Sequence, residues 1–378
     1  MMRGTISIMS HKVNIPYENL QAVNRSFGEE LTDALVNVTD KGWYVLGSEV
    51  SCFEKEFAEF VGAKYALGVA NGLDALTISL KSCGIGQGDE VIVSANTYIA
   101  TILAVIHSGA TPVLIDAELS TYNINSDLIE GAISNKTKGV LVTHLFGLPC
   151  NVRKIVDICD SNNLLLFEDC AQSIGTLVDS DHTGTFGVAG CFSFYPTKTI
   201  GALGDAGLIV TNDESVFNIA KSFRNYGSSE KYVFSRVGFN SRLDEIQAAI
   251  LRVKLRHIKT ALSHRRTLGA IYRSSILNKS VLPPDEPWYT NSYHIFPIVT
   301  EERDLLKSFL SENGIGSDIH YPIPPYKQEA LASNYNQEKF PIADYLHRCE
   351  LSLPISTATS ADDAKLVAGC INKFFKND

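Results

Sequence analysis

The amino-acid sequence predicts an α/β fold: a large domain built on a mostly parallel sheet sandwiched by helices, then a smaller α+β domain. Three observations carry this expectation. Across the first two-thirds of the 378 residues, short apolar runs alternate with amphipathic stretches, the pattern of parallel strands joined by crossover helices. From Asn240 a long helical pattern follows, with Leu243, Ile246, Ile250 and Val253 at helical spacing and a further apolar group at 255–258. Beyond it, a strand-like run and two more helical segments form a shorter pattern of their own. The domains are expected at 1–250 and 251–378, with 1–11 as a candidate disordered extension and Met9 as a candidate start.

In chain order, the apolar runs place strands at 65–70, 91–94, 112–115, 139–143, 164–168, 190–194 and 207–211. Helical segments at 73–83, 100–108 and 152–161 fall between them. Gly84-Ile85-Gly86-Gln87-Gly88 precedes a strand instead of following one, so it reads as a surface turn and not as a dinucleotide fingerprint. Ser241, with Asp244 three residues on, reads as the cap of the long helix. The second domain comprises a strand at 293–300, a helix at 302–313 and a terminal helix from about Thr359 with Leu366, Val367, Cys370, Ile371 and Phe374 on one face.

Composition narrows the functional classes. Lys and Arg total 33 against 42 Asp and Glu, a net charge of −9 with no dense basic block, so a nucleic-acid partner is not expected. No apolar run approaches the ~18 residues of a membrane span, and the first residues lack a secretory core. The expected location is therefore the cytoplasm, with no membrane partner. The eight cysteines form no CxxC pair and none sits with His at zinc-ligand spacing, so they read as reduced thiols and no metal is expected.

Four segments at strand ends carry candidate chemistry, because sheets of this kind bind ligands off the carboxyl ends of their strands. Asn71-Gly72-Leu73 makes a turn into a helix, and free N–H groups at a helix start cradle phosphate. Tyr98 follows the strand at 91–94 and offers a ring to stack on a flat ligand. Asp169 closes a buried apolar strand, where a carboxylate is costly unless paired. Gln172 lies three residues on. Lys198 follows the strand at 190–194 and enters the glycine-rich loop 201–207; a partly desolvated amine is a nucleophile toward aldehydes. Taken singly, each has an ordinary reading: a strand-to-helix turn, a core tyrosine, a helix cap, a lysine that reaches the surface. Together, and in this order, they match the needs of pyridoxal 5'-phosphate: a phosphate cradle, a face contact, a carboxylate for the ring nitrogen and an imine lysine.

With these residues the chain resembles the nucleotide-sugar aminotransferases of the DegT/StrS type, which have the aspartate-aminotransferase-like fold (fold type I). The resemblance runs from about Ile15 to the C-terminus and is carried by FEDCAQS (167–173), FSFYPTK (192–198), GALGDAG (201–207) and GFNSRLDEIQAA (238–249). It implies pyridoxal 5'-phosphate, with pyridoxamine 5'-phosphate as its intermediate amine form. It implies Lys198 as the imine lysine, Asp169 at the pyridinium nitrogen, Gln172 near the phenolic oxygen and Tyr98 on the ring. Gly72, Leu73 and Ser193 hold the phosphate in this reading. Asn240 reaches the phosphate from the neighbouring subunit of a homodimer with a shared active site.

Further stretches, TYNI (121–124), HLFG (144–147), RNYGSSEKY (224–232) and HYPIPP (320–325), are similar to the subgroup that aminates C3 of a dTDP-3-keto-6-deoxyhexose. The resemblance implies glutamate as donor, a dTDP-3-amino-3,6-dideoxyhexose as product, and use in bacterial glycans such as O-antigens or in secondary metabolites. It places Tyr226, His320 and Tyr321 on the substrate side. Amination at C4 of a nucleotide-linked 4-keto-6-deoxy sugar uses the same cofactor residues and stays open. Lys198 argues against a sugar dehydratase of this fold, which carries His there, and the intact set argues against a non-catalytic regulator or scaffold. Ile174, Thr199 and Tyr326 depart from the family pattern, and each is a candidate to alter the grip on the sugar.

Overall fold

A computed structural model describes residues 14–283, 289–332, 335 and 340–376. The candidate extension at 1–11 and the start at Met9 lie outside the described residues. Three helices, α1 (Leu20–Arg25), α2 (Glu29–Lys41) and α3 (Ser48–Val61), lead into the main sheet. Its strands are β1 (Tyr65–Val69), β2 (Glu90–Ser94), β3 (Thr111–Ile115), β4 (Thr137–Thr143), β5 (Leu165–Asp169), β6 (Ala189–Ser193) and β7 (Gly207–Thr211). Each falls within two residues of its sequence expectation. The crossovers carry α4 (Gly72–Ser82), α5 (Ile99–Ser108) and α6 (Val152–Asn162), and α7 (Glu214–Phe223) follows β7. The order across the sheet is β1-β7-β6-β5-β4-β2-β3, and only β7 runs antiparallel to its neighbours.

The strands are buried on both faces, as a sheet covered by helices requires. Side chains alternate across it: Leu67 and Cys191 pack toward α4 and α5, whereas Ala66 and Phe192 pack toward α3 and the helix after the sheet. Val140 and Val142 join Val152 and Ile155 of α6 in another layer. Register then aligns the functional strand ends. Thr143 of β4 pairs with Asp169 of β5, which pairs with Cys191 of β6.

The long helical pattern is two helices, α8 (Glu245–Arg256) and α9 (Ile258–Ser275), broken at His257. The expected cap is corrected. Helix α8 begins only at Glu245, and the Ser241 hydroxyl instead accepts a hydrogen bond from Ala70 N at 3.1 Å. Glu245 has its own task. Its buried carboxylate accepts from Gly47 N, Glu49 N and Val50 N at 2.8–2.9 Å, so it satisfies the first amides of α3 and meets the positive end of that helix.

The C-terminal lobe pairs β8 (Phe296–Val299) antiparallel with β9 (Glu350–Leu353). Around them lie α9, α10 (Arg303–Glu312), α11 (Pro341–Cys349) and α12 (Ala361–Phe374). The last carries a full capping box, Ser360 with Asp363. Ile15 packs into this C-terminal core and bridges to Ile315. The cysteines are unpaired, and no helix among the described residues is long and apolar enough to cross a membrane.

Candidate active site

The carboxyl ends of β1, β2, β4, β5 and β6 open into one cleft of ≈ 600 Å³. Gly72, Leu73, Tyr98, Asp169, Gln172, Ser193, Lys198, His320 and Tyr321 all line it. Tyr226 and Asn240 do not reach the cleft of their own chain. Tyr226 is 47% exposed beside the Arg242 guanidinium, and Asn240 is exposed on the loop before α8.

The floor begins at the start of α4. Asn71 caps it, its side chain accepting from Asp74 N at 2.8 Å. Gly72 is required for close approach: a Cβ there would lie 2.7 Å from Ser193 Cβ. Gly207 is equally constrained, since a Cβ would meet Asn71 O at 2.2 Å. These glycines bring the β1 turn, Ser193 and β7 together and leave the α4 amides facing a concave wall, a cradle for an anion.

Asp169 is buried at the end of β5. Its carboxylate accepts from Thr101 Oγ1 at 2.8 Å and from Ala171 N at 3.1 Å. Burial raises its pKa, against the lowering effects of those bonds, Lys198 and His144. Lys198 is half-buried on the turn after β6, its backbone N donating to Tyr195 O at 2.8 Å. Burial depresses its amine to about 8, partly opposed by Asp169. Among the described residues it forms no ion pair, so the amine is held by desolvation and not by a close carboxylate.

The opposite wall comes from the C-terminal lobe. Gln172 Oε1 accepts from Phe146 N at 2.6 Å, and its Nε2 donates to the Tyr321 hydroxyl at 3.0 Å. The rings of Tyr98 and Tyr321 sit 4.9 Å apart. Behind Asp169, the fully buried Glu168 accepts from Gly184, Phe186 and Gly187 N–H groups and pairs with His144 Nε2 at 3.0 Å. His144, Glu168 and Cys170 place one donor atom each within 4.8 Å of the others, but the carboxylate is already saturated with N–H donors, which makes this a structural brace.

Sequence reasoning missed Thr101 and His294. Thr101 lies one turn into α5, and nothing in a helical pattern marks it as the partner of an aspartate. His294 is buried in the cleft wall, its Nδ1 without a hydrogen-bond partner among the described residues, and burial with nearby Lys198 and Arg265 holds its pKa down. The departures Ile174, Thr199 and Tyr326 are not among the lining residues. Ile174 is buried in the core, and Tyr326 is buried with its hydroxyl donating to Asp344 at 2.7 Å. As candidates to alter the grip on the sugar, these two have no place in the cleft lining; they pack.

A cradle that admits no Cβ, a buried carboxylate without an ion pair and a desolvated lysine in one cleft define a pyridoxal-phosphate site in an aminotransferase fold. Comparison with known proteins agrees. Residues 25–372 match the DegT/DnrJ/EryC1/StrS aminotransferase family, and the chain belongs to that PLP-dependent family. It is 44% identical over 361 residues (95% of this chain, 99% of the relative) to a dTDP-3-amino-3,6-dideoxy-alpha-D-galactopyranose transaminase of Aneurinibacillus thermoaerophilus. The crystal structure of S. venezuelae DesV in complex with a ketimine intermediate superposes with a TM-score of 0.93 at 37% identity, covering 96% of this chain and 98% of that one. That of Bacillus subtilis NtdA with bound cofactor PMP gives 0.88 at 28%, covering 95% and 85%. This protein is thus an aminotransferase of that family.

Proposed function

We propose that this enzyme moves the amino group of glutamate to C3 of a dTDP-3-keto-6-deoxyhexose, giving a dTDP-3-amino-3,6-dideoxyhexose. The observation that carries the reading is the 44% identity, over nearly the full length of both chains, to a transaminase named for such a product. It stands on a cleft lined by Gly72, Leu73, Tyr98, Asp169, Gln172, Ser193 and Lys198.

The residues present fit pyridoxal 5'-phosphate, which supplies an aldehyde and an electron-accepting ring. Gly72, Leu73 and Ser193 would hold the phosphate at the start of α4. Tyr98 would cover one face of the ring. Asp169 would keep the ring nitrogen protonated; its carboxylate, oriented by Thr101 and Ala171, forms no ion pair among the described residues. Gln172, pinned by Phe146 N and Tyr321, would sit at the ring's phenolic oxygen. Lys198 Nζ, poised near neutrality by burial, takes a proton from the donor's Cα and returns one on the acceptor side. His320 and Tyr321 of the C-terminal wall face the sugar.

The assembly we propose is a homodimer with shared sites, in which Asn240 and Tyr226 serve the partner's cleft. Both are exposed and turned away from their own cleft. They lie beside exposed apolar side chains, Tyr232 at 82% and Val237 at 93%, of the kind that mark protein interfaces. The proposed setting is the bacterial cytoplasm, and the two-domain division at about residue 250 is part of the same reading. The test supplies the purified protein with [15N]glutamate and, separately, the gluco and galacto epimers of the 3-keto sugar. Label at C3 supports the proposal, and label at C4 of a 4-keto substrate replaces it with amination at that position.

A further inference from the structure

Behind His320 lies a hydrogen-bonded chain that none of the cofactor chemistry uses. His320 lines the cleft, and its Nδ1 is 2.8 Å from Ser352 Oγ on β9. That hydroxyl lies 2.5 Å from Glu350 Oε1, and Glu350 Oε2 accepts from His320 N at 2.7 Å. Glu350 is 2% exposed and Ser352 is fully buried. The Tyr17 ring lies 5.9 Å from that of His320. With Nδ1 engaged from behind, the ring nitrogen left for the cleft is Nε2.

This chain has two complete hydrogen-bonding states. With Glu350 ionised, Ser352 donates to the carboxylate and His320 Nδ1–H donates to Ser352, so Nε2 offers a lone pair. With Glu350 protonated, the acid donates to Ser352, Ser352 donates to Nδ1, and Nε2 carries the hydrogen. No polar atom is orphaned in either state, so the two differ chiefly in the cost of holding the charge of Glu350 away from water. One proton on Glu350 is thereby read out as the tautomer of a neutral imidazole.

We propose that Glu350 and Ser352 are positioning residues that set the tautomer of His320, and so whether its Nε2 donates to or accepts from the sugar. The inference rests on the proposed sugar-side location of His320, but the switch itself needs no substrate. Burial pushes Glu350 up to about 8, offset by the bonds from Ser352 and His320 and by Arg303 of α10, and reinforced by Asp318. Burial takes His320 down to about 4, against Asp318 and with Lys198 and Lys307. The imidazole therefore stays neutral while Glu350 titrates. Below about pH 8 Nε2 is a donor, and above it an acceptor.

The test is 15N NMR of the holoenzyme labelled at histidine, with the His320 ring signals identified by their loss in His320→Asn. The expected result is an Nε2–H tautomer at pH 6.5 that inverts to Nδ1–H by pH 9.5. In Glu350→Gln the amide donates permanently to Ser352, so Nε2–H persists at both pH values. In Ser352→Ala, which removes only one oxygen and serves if the first variant fails to fold, the tautomer no longer follows pH. With sugar present, the fall in kcat/KM for the keto sugar through about pH 8 is absent from Glu350→Gln, while the glutamate half-reaction keeps its wild-type profile. A wild-type tautomer that is the same at both pH values, or an inversion that survives in both variants, overturns the proposal. Neither result depends on which sugar is the substrate.

Discussion

Lys198 gives the sharpest quantitative test of the site. An ordinary lysine has a pKa near 10.4, so at pH 7.5 only about one amine in a thousand is unprotonated. With burial lowering Lys198 to about 8, the free fraction at that pH is roughly one in four, a gain of a few hundredfold. The amine must be unprotonated to attack an aldehyde. The rate at which apoenzyme captures pyridoxal phosphate should therefore rise about tenfold per pH unit up to roughly 8 and then level off. Stopped-flow absorbance on apoenzyme mixed with the cofactor measures this directly. Asp169 is the one group that opposes the shift, so Asp169→Asn should leave the midpoint at or below the wild-type value. A capture rate still climbing tenfold per unit beyond pH 9.5, or a midpoint raised by Asp169→Asn, would refute the argument that desolvation activates Lys198.

Other expectations follow from single contacts. Gly207→Ala puts a methyl group 2.2 Å from Asn71 O; overpacking against backbone costs about 1–3 kcal/mol, which a cofactor titration should read as a loss of roughly 5- to 150-fold in affinity. An unchanged dissociation constant would mean that the turn can move aside. Glu245→Ala removes the acceptor for three amides at the start of α3, and urea unfolding should show a loss of about 2–4 kcal/mol; less than 1 kcal/mol would show that water replaces the carboxylate. For the shared site, Lys198→Ala and Asn240→Ala homodimers should each be impaired. Mixing the two after mild dissociation should restore about a quarter of wild-type activity, because half the dimers are hybrids with one intact cleft. No recovery on mixing would place Asn240 in its own subunit's chemistry or outside the site.

Much of this was legible in the sequence because the physics is local. A parallel strand buried on both faces must be a short apolar run, and the turn after it must be polar or small, so β1 to β7 and the residues at their ends could be read directly. Lys198, Asp169 and Gly72 meet in one cleft because each follows such a run. What could not be read depends on distant chain segments. Thr101 is a partner of Asp169 only because α5, packed on β2 and β3, brings its first turn to the end of β5. Glu245 looks like an exposed residue of an amphipathic helix, yet it is buried by α3, nearly two hundred residues earlier. The same remoteness explains the misplaced cap. Ser241 had the right residue type, but Ala70 N, brought close by β1, claims its hydroxyl. Ile174 and Tyr326 stood out only as departures from the family pattern, and their place in the structure, both buried, is set by tertiary packing. The Glu350–Ser352–His320 chain joins two segments that only the β9 register brings together.

The most direct test of the account is the position of nitrogen in the product. Holoenzyme is first converted with [15N]glutamate and freed of excess donor, then given each dTDP-3-keto-6-deoxyhexose epimer in a single turnover. The sugar is read by NMR and mass spectrometry, with Lys198→Ala in parallel. The account predicts one equivalent of 15N at C3 of one epimer and none from the variant. Nitrogen delivered by Lys198→Ala at the wild-type rate, or no transfer to either epimer alongside efficient transfer to a 4-keto nucleotide sugar, would contradict it.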